Sequence, residues 1–287
     1  MKTQLGIEVI ETIQELKIWR AEQQSAGKTV GFVPTMGFMH DGHAALIEQA
    51  KDQYDTVVAS IFVNPTQFGP DEDFDAYPRD LEADKRTAAA AGASLLFCPS
   101  ADEMYPSDGG IRITPGPLAG RLCGASRPGH FDGVLQVVLK LTNLVRPDGL
   151  FFGMKDAQQL AIIETFFRDY NMPARIHRVP TVREADGLAK SSRNVNLTVP
   201  ERQEAPHIWA SLQYGQQLFT QGERPSVIEL LVAKRLQERT SGEVDYVTVL
   251  SYPDLEERSG DREMILACAV RFSKTRLIDN IIMTKEG

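Results

Sequence analysis

Short apolar runs alternate with helix-type patterns over roughly the first two thirds of this 287-residue chain, and this alternation constrains the fold more than any other feature. The runs are rich in β-branched or aromatic residues and are bounded by Gly, Pro or Asp, as strands are. They are Thr29–Thr35, Thr56–Val63, Ser94–Pro99, Gly149–Gly153 and Arg175–Thr181. Because their apolar residues are nearly continuous, the runs predict strands that are covered on both faces.

Between the predicted strands, apolar residues recur at helical spacing. The predicted helices are Val9–Ser25, His43–Tyr54, Asp80–Ala91, Val134–Val145 and Ala157–Tyr170. Strands that alternate with helices imply βαβ units and a mostly parallel sheet. The sequence therefore predicts an α/β domain over residues 1–181.

The pattern changes after about Thr181. Two long amphipathic segments, roughly Glu201–Gln221 and Val227–Thr240, predict helices. The segments Tyr246–Leu250 and Met264–Phe272 then predict strands. Helices followed by strands indicate a smaller α+β domain, which we expect over residues 182–287.

Composition argues against several classes of protein. The formal net charge is −8, which disfavours nucleic-acid binding because that relies on clustered Lys and Arg. The three cysteines are far apart and include no CxxC pair, so neither a disulfide framework nor a zinc site is expected. No apolar run approaches the length of a membrane span, and residues 1–6 lack the apolar core of a signal peptide. We expect a cytoplasmic protein with no nucleic-acid or membrane partner.

The segment 34–43, PTMGFMHDGH, follows a predicted strand and opens a helix. Open α/β sheets bind ligands at this position, and a helix N-terminus favours phosphate. His40 and His43 can donate to phosphate oxygens whose charge grows in a transition state. The alternative is a pair of surface histidines in a turn. A zinc pair is not favoured, because no third ligand is suggested nearby.

Two further segments carry polar side chains at strand or helix ends. Asn64 and Gln67 follow the second predicted strand, and their neutral amides suit hydroxyl and carboxylate groups. A capped turn is the alternative for them. Arg127 and His130 precede a predicted helix and offer contacts to an anion, although an ordinary helix entry with an Asp cap fits this segment equally well.

The segment 152–159, FGMKDAQQ, lies where another predicted strand turns into a helix. Lys155 suits a polyphosphate as a point charge, and Gln159 lies one helical turn further on, within reach of the same cleft. Asp156 also fits an ordinary N-cap or first-turn role. The segment 187–194, GLAKSSRN, predicts a mobile phosphate-binding loop, with a basic surface loop as the alternative.

Together these segments resemble the pantothenate synthetase family of the HxGH nucleotidyltransferase superfamily. The blocks PTMGxxHxGH, FVNPTQF, YPR, RPxHFxGV, FGxKDxQQL and VREADGLAxSSRN occur in the family's order between about Val30 and Asn194. The resemblance implies a Rossmann-like N-terminal domain, a smaller C-terminal lid and a homodimer. It also implies condensation of pantoate with β-alanine through pantoyl adenylate, with ATP cleaved to AMP and pyrophosphate in the presence of Mg²⁺.

The resemblance also implies a role for each matched residue. The residues implied in catalysis are His40, His43, Lys155, Ser191, Ser192 and Arg193. Those implied to contact ATP are Met36, Gly153, Lys155, Asp156, Lys190, Ser191, Ser192 and Arg193. Those implied to hold pantoate or line its cleft are Asn64, Gln67, Tyr77 and Gln159, and Asp84 is assigned to the magnesium environment.

Three positions depart from the family pattern, but none removes a matched histidine, lysine or serine. Cys123 stands where a glutamate is common, Met154 replaces a frequent glutamate, and Lys190 occupies a usually apolar position. Two other functions stay open at this point: another HxGH nucleotidyltransferase and a non-catalytic nucleotide sensor on the same fold. A dehydrogenase is not favoured, because no GxGxxG follows the first predicted strand.

Overall fold

The computed structural model describes residues 6–70, 72, 74–107, 109–257 and 263–284. The chain divides into two compact units. The N-terminal unit comprises residues 1–116, 127–154 and 163–180, and the C-terminal unit comprises residues 117–126, 155–162 and 181–287. The domain boundary after Thr181 stays a prediction. The expectation about a signal peptide concerns residues that lie almost entirely outside the described ones.

Within the described residues, the N-terminal unit contains a six-stranded sheet in the order β1-β4-β3-β2-β5-β6, and every pairing in it is parallel. Its strands are β1 (Glu8–Ile10), β2 (Val30–Thr35), β3 (Thr56–Ile61), β4 (Leu95–Phe97), β5 (Gly149–Gly153) and β6 (Arg175–Val179). The predicted parallel α/β fold is confirmed.

Helices alternate with these strands along the chain. They are α1 (Ile13–Ser25), α2 (Asp41–Gln53), α3 (Leu81–Ala91), α4 (Ala101–Met104), α5 (Leu122–Ser126), α6 (His130–Val145) and α7 (Ala157–Asp169), of which α5 and the first six residues of α7 are counted with the C-terminal unit. Local signals set their ends: Thr12 and Glu15 form a capping box on α1, and α3 runs from the side-chain cap of Asp80 to Gly92 at φ +97°.

The strand order places a switch point between β2 and β5. From β2 the chain proceeds outward through β3 to β4, and it then returns to add β5 on the other side of β2. The connections on either side therefore diverge from the carboxyl ends of β2 and β5, which is where open α/β sheets form a ligand crevice. The strand residues Val33, Val57 and Phe151 are fully buried, so the sheet is a rigid platform for the turns that follow it.

The C-terminal unit packs helices on an antiparallel sheet of order β7-β8-β9. Its further elements are α8 (Val199–Glu204), α9 (His207–Thr220), α10 (Pro225–Arg239), β7 (Glu243–Ser251), β8 (Glu263–Arg271) and β9 (Arg276–Thr284). Leu212, Ile228, Val232 and Leu266 form part of its core. This arrangement confirms the predicted α+β character of the C-terminal part.

Two predicted elements differ from the structure, and strand β9 lies where no element was predicted. The start of the predicted helix Val9–Ser25 is instead strand β1, which pairs with β4. The predicted helix Glu201–Gln221 is two helices, α8 and α9, separated at Ala205–Pro206, because a proline has no N–H to continue the helical ladder. Strand β9 was not predicted, because Asp279 and Asn280 interrupt its apolar run. None of the helices in the described part of the chain is long and apolar enough to cross a bilayer.

Candidate active site

The segment Met36–His43, here called the histidine turn, connects the carboxyl end of β2 to α2. His40 is the N-cap of α2, and its Nδ1 accepts the N–H of Gly42 at 3.1 Å. His43 Nδ1 accepts the N–H of His40 at 3.3 Å, and the two ring centroids are 4.2 Å apart. Because a nitrogen that accepts a hydrogen bond does not carry the proton, each neutral ring is protonated at Nε2. The turn therefore sets one tautomer for both imidazoles.

The buried carboxylate of Asp84 holds the backbone of the histidine turn. Its two oxygens accept the N–H groups of Phe38 at 2.9 Å and of Met39 at 2.6 Å. Phe38 has φ +49°, and Gly37 has φ +79° with no space for a Cβ, which would lie 2.8 Å from a carboxylate oxygen of Asp84. Burial raises the pKa of the Asp84 carboxyl. Asp84 thus fixes a backbone shape that few residues adopt.

The amides of Asn64 and Gln67 lie together after β3. Asn64 is 1 % exposed, and its Nδ2 donates to Gln67 Oε1 and to the carbonyl of Gly133, both at 3.1 Å. Its Oδ1 accepts from Thr66 and from the hydroxyl of Tyr105, so both ends of its amide bond to protein. Gln67 Nε2 lies 3.4 Å from the Met36 sulfur. The structure therefore brings Gln67 to the histidine turn, with Asn64 as its support.

Arg127 and His130 bond within the N-terminal unit. Arg127 makes a two-pronged ion pair with Glu72 at 2.7 and 2.6 Å, and its guanidinium holds the pKa of that carboxyl below its usual range. His130 Nδ1 lies 2.8 Å from the carbonyl of Gln67. These bonds hold the Gln67 turn, a role that neither of the two sequence interpretations included, and the N-cap of α6 is Gly129 rather than an Asp.

Tyr77 is 5 % exposed and packs edge-on against Phe68, with ring centroids 6.2 Å apart. Its carbonyl accepts from Arg79 at 3.0 Å. It therefore belongs to the aromatic packing beside the Gln67 turn.

The residues Met154–Asp156, here called the lysine turn, form a 3₁₀ turn that leads into α7. The carbonyl of Lys155 accepts from Asn280 Nδ2 at 2.9 Å. Gln159 is partly buried and Asp156 is exposed. The neighbouring Gln158 is buried, and its amide donates to the carbonyls of Leu118 and Arg121 at 2.8 and 2.6 Å, so it anchors the segment before α5.

The segment Gly187–Arg193, here called the serine loop, ends in a 3₁₀ turn that Ser191 caps by accepting the N–H of Arg193 at 3.3 Å. Ser192 is buried and Arg193 is partly buried. Lys155, Ser191, Asn194 and Asp279 all line one small cavity of the C-terminal unit. The structure therefore brings the lysine turn and the serine loop together.

Two of the departures from the family pattern have polar partners. The ammonium of Lys190 pairs with Glu184 at 2.9 Å. Cys123 lies 3.4 Å from both the hydroxyl of Tyr246 and the guanidinium of Arg276. Lys190 therefore meets an acidic partner just before the serine loop, which sequence reasoning did not foresee.

The described residues contain no cluster of three or more His, Cys, Asp or Glu that could hold a metal ion. Asp84, the residue predicted near magnesium, already accepts two backbone N–H groups. Mg²⁺ bound with a nucleotide needs only one or two carboxylates, because the phosphates supply the other ligands. These residues thus fit a metal that enters with ATP better than a metal held by the protein alone.

Sequence reasoning missed the residues that support the predicted site. Arg183 bonds both to the carbonyl of Gly187 in the serine loop and to Asp279, and Asn280 bonds to the carbonyl of Lys155 in the lysine turn. Arg183 lies in a segment that the sequence had already singled out, whereas Asp279 and Asn280 lie in an unpredicted strand. No local signal pointed to the latter two.

Fold and turns together define a class. A parallel sheet whose switch point carries a histidine turn, joined in sequence to a small α+β unit, is typical of α/β enzymes that bind ligands at strand ends. Comparison with known proteins then identifies the family. The sequence profile of pantoate-beta-alanine ligase matches residues 8–282, so the chain belongs to the pantoate-beta-alanine ligase family.

Individual relatives agree with this assignment. The chain is 52 % identical over 285 residues to a pantothenate synthetase of Lysinibacillus sphaericus strain C3-41, covering 98 % of this chain and 100 % of the relative. It is 51 % identical over 277 residues to that of Bacillus subtilis strain 168, covering 96 % of each chain. The chain is thus similar to these relatives over nearly its whole length.

Solved structures give the same result. The crystal structure of pantothenate synthetase from Thermus thermophilus is 41 % identical, with a TM-score of 0.90 and coverage of 96 % of this chain and 99 % of that one. A pantoate-beta-alanine ligase from Francisella tularensis, complexed with beta-gamma ATP and beta-alanine, is 33 % identical with a TM-score of 0.80, covering 96 % and 97 %. Neither alternative function is favoured by these likenesses.

Proposed function

We propose that this chain condenses pantoate with β-alanine to pantothenate. The pantoate carboxylate attacks the α-phosphorus of ATP, which forms pantoyl adenylate and releases pyrophosphate. The amine of β-alanine then attacks the acyl carbon, loses a proton, and displaces AMP. Family membership over residues 8–282 is the observation that carries this proposal. The Francisella tularensis ligase, whose structure is a complex with beta-gamma ATP and beta-alanine, supports the same pair of ligands.

The histidine turn supplies hydrogen-bond donors for the first step. With Nδ1 of His40 and His43 accepting backbone N–H groups, each Nε2–H is the donor that would meet phosphate oxygens. Donors fixed before the reaction stabilise the charge that develops on those oxygens without reorganising. Met36, adjacent in the turn, would lie beside the nucleotide, as would Gly153 at the end of β5.

The C-terminal unit supplies the cationic contacts of the proposal. Lys155 would bind phosphate as a point charge, and Ser191, Ser192 and Arg193 would add hydroxyl and guanidinium donors. Asp156, which is exposed, would contact the ribose, and Lys190 would add charge near its Glu184 partner. No protein nucleophile is needed, because positioning and electrostatic stabilisation suffice for two displacements on phosphorus and acyl carbon.

Pantoate would be held by neutral amides. Gln67, fixed by Asn64 and placed beside Met36, would bind the hydroxyl or carboxylate of pantoate, and the family resemblance implies the same role for Gln159. Tyr77 would line the same cleft. Neutral amides leave the pantoate carboxylate charged and nucleophilic, whereas an ion pair with an arginine would stabilise that charge and make the carboxylate less nucleophilic.

Mg²⁺ would enter with ATP and neutralise phosphate charge. Asp84 would contribute to its environment while it holds the histidine turn. A cytoplasmic location and a homodimer belong to the same proposal on the strength of the family resemblance. Light scattering coupled to gel filtration would measure the mass of the assembly, and a mass of one chain would exclude the dimer.

The decisive experiment measures AMP release from ATP with pantoate, with and without β-alanine. AMP that appears only when both acid and amine are present, together with pantothenate detected by mass, is the expected result. ATP binding without AMP from any combination would favour the sensor. AMP formed with a different acid would favour another nucleotidyltransferase of the same superfamily.

A further inference from the structure

Strand β9 carries two buried polar residues in the middle of an apolar run. Asp279 is 4 % exposed and Asn280 is 7 % exposed. They follow one another in the sequence IDNII, which is otherwise apolar. Burying a carboxylate and an amide is unfavourable unless both are hydrogen-bonded, so their partners indicate what they are for.

The carboxylate of Asp279 bonds to Arg183, which in turn bonds to the first residue of the serine loop. Arg183 donates to both of its oxygens, at 2.6 and 3.0 Å, although the two residues are 96 positions apart. The same guanidinium donates to the carbonyl of Gly187 at 3.1 Å and lies 3.5 Å from the ring centre of Trp209. Arg183 therefore joins the start of the serine loop to β9 through its planar fork.

Backbone hydrogen bonds among residues 182–190 extend the restraint from Arg183 to the residue that precedes Ser191. An antiparallel bridge joins Arg183 to Ala189, and the N–H of Lys190 donates to the carbonyl of Val182 at 2.9 Å. The N–H of Glu184 donates to the carbonyl of Leu188 at 2.8 Å. Residues 182–190 thus form a loop that backbone hydrogen bonds close, and Ser191 follows directly after Lys190, the last residue that these bonds hold.

The amide of Asn280 bonds to the lysine turn. Its Nδ2 donates to the carbonyl of Lys155 at 2.9 Å, across 125 positions of sequence. Its own N–H donates to Asp279 Oδ1 at 2.8 Å, so the two residues are linked. Adjacent residues of one strand are therefore linked to both segments of the C-terminal unit, Asp279 through Arg183 and Asn280 directly.

We infer that Asp279 and Asn280 are positioning residues that hold the serine loop and the lysine turn at a fixed separation, so that both segments can contact the phosphates of one ATP molecule. This inference rests on the proposed function, because it takes Lys155 and Ser191 to be phosphate ligands. A small, mostly apolar cavity is lined by Lys155, Ser191 and Asp279 together, which shows that the two segments and β9 pack against one another in the C-terminal unit. A site whose ligands come from two distant segments needs such a common support.

Steady-state kinetics of pantoate-dependent ATP–pyrophosphate exchange test the inference. Asp279→Asn keeps the shape of the side chain but removes its charge. We expect the KM for ATP to rise, or kcat to fall, about tenfold or more, because a small misplacement of binding groups is costly. The KM for pantoate should stay within about twofold, since Gln67 is held by other residues. A partial loss of fold would instead lower the melting temperature and the apparent kcat while both KM values stay unchanged, because only the folded fraction turns over.

Double variants separate positioning from a direct contact. If Asp279 acts through Arg183, the variant Arg183→Gln/Asp279→Asn should be no worse than the more affected single variant. Asn280→Ala should likewise cause no further loss of exchange activity in a Lys155→Ala background, because Asn280 is inferred to act by positioning Lys155. Glu164→Gln is the matched control, because it breaks another two-pronged arginine pair, with Arg178 at 2.6 and 2.7 Å, in the N-terminal unit. We expect its KM values to be unchanged.

The failures of the two proposals can be told apart. If Lys155→Ala and Ser191→Ala leave the KM for ATP and the exchange rate unchanged, the proposed phosphate contacts are wrong. If those variants are impaired while Asp279→Asn and Asn280→Ala behave like Glu164→Gln, only the positioning inference is overturned. Should Asp279→Asn fail to fold, Arg183→Lys and Asn280→Ala carry the same test, and unchanged ATP kinetics in both would overturn the inference.

Discussion

The histidine turn and the serine loop are held in place by different means. The histidine turn runs from a buried strand into a helix, its histidines cap that helix, and one carboxylate from α3 binds its backbone. The serine loop has its own short bridge, and its base bonds through Arg183 to a strand some hundred residues later, where Asp279 accepts at 2.6 Å. Both segments therefore combine local bonds with a carboxylate from another element, but the flanking strand and helix set the path of the histidine turn, whereas the serine loop depends on a carboxylate 96 positions away.

Removing His43 gives the largest effect that we expect on the histidine side. His43→Ala deletes the Nε2–H donor and should lower the rate of pantoate-dependent pyrophosphate exchange by about 10²- to 10³-fold. It also removes an acceptor for the N–H of His40, a capping contact worth about 1 kcal/mol. Circular dichroism should therefore show a folded protein. His207→Ala on α9 is the control, and near-normal exchange in His43→Ala would show that the ring serves only as a cap.

This contrast also explains how much the sequence could predict. Strands β2, β3 and β5, and the turns after them, follow from local apolar runs and turn residues, so their positions were predicted to within a residue or two. The placement of His40 and His43 at a helix start followed from the same local pattern. Strand β9 was missed because Asp279 and Asn280 interrupt its apolar pattern. Both are buried, and their hydrogen-bond partners lie 96 and 125 positions away in the sequence. A tertiary partner at that distance leaves no periodic signal.

Asp84→Asn tests whether one carboxylate sets the shape of the histidine turn. An asparagine offers one oxygen where two backbone N–H groups now bond, so Phe38 or Met39 loses its acceptor. An unpaired buried N–H costs about 1–3 kcal/mol, and we expect the KM for ATP to rise about tenfold. Asp52→Asn, an exposed change on α2, is the control. A changed Mg²⁺ requirement with an unchanged melting temperature would instead assign Asp84 to the metal alone.

Gly187→Ala tests the serine loop without touching a charged group. Gly187 has φ +93°, and a Cβ there would lie 2.6 Å from Trp209 Cδ1. We expect a loss of about 1–3 kcal/mol in unfolding free energy from strain and crowding, with a raised KM for ATP. Gly222→Ala has a similar φ of +85° but nothing within 4 Å, so it reports the cost of the backbone conformation alone. Equal effects of the two changes in chemical denaturation would mean that Trp209 does not restrain the loop.

The smallest expected effect concerns Glu201, the acceptor that fixes α8 just beyond the serine loop. Its carboxylate accepts hydrogen bonds from the N–H of Ser273 and from the N–H and hydroxyl of Thr198, each at 2.8 Å. Hydrogen bonds to this carboxylate, of which those from Ser273 have the largest effect, lower the pKa of Glu201 from 4.5 to about 2. Because the folded pKa lies below the unfolded one, the ionised group stabilises the fold above about pH 4.5, and this contribution is lost as the pH falls toward about 2.

Glu201→Gln should therefore melt at a lower temperature than the parent at pH 7, and the gap should narrow as the pH falls below about 4.5. Glu238→Gln, an exposed change on α10, is the matched control. Melting curves followed by circular dichroism between pH 7 and about pH 3 measure both variants. A Glu201→Gln gap that stays constant over this range would show that the shape of the cap, rather than its charge, holds the helix. In that case α8 would be held, like α2, by local capping geometry. A narrowing gap would instead show that the negative charge of Glu201 stabilises α8, just after the serine loop, as the carboxylate of Asp279 supports the segment before it.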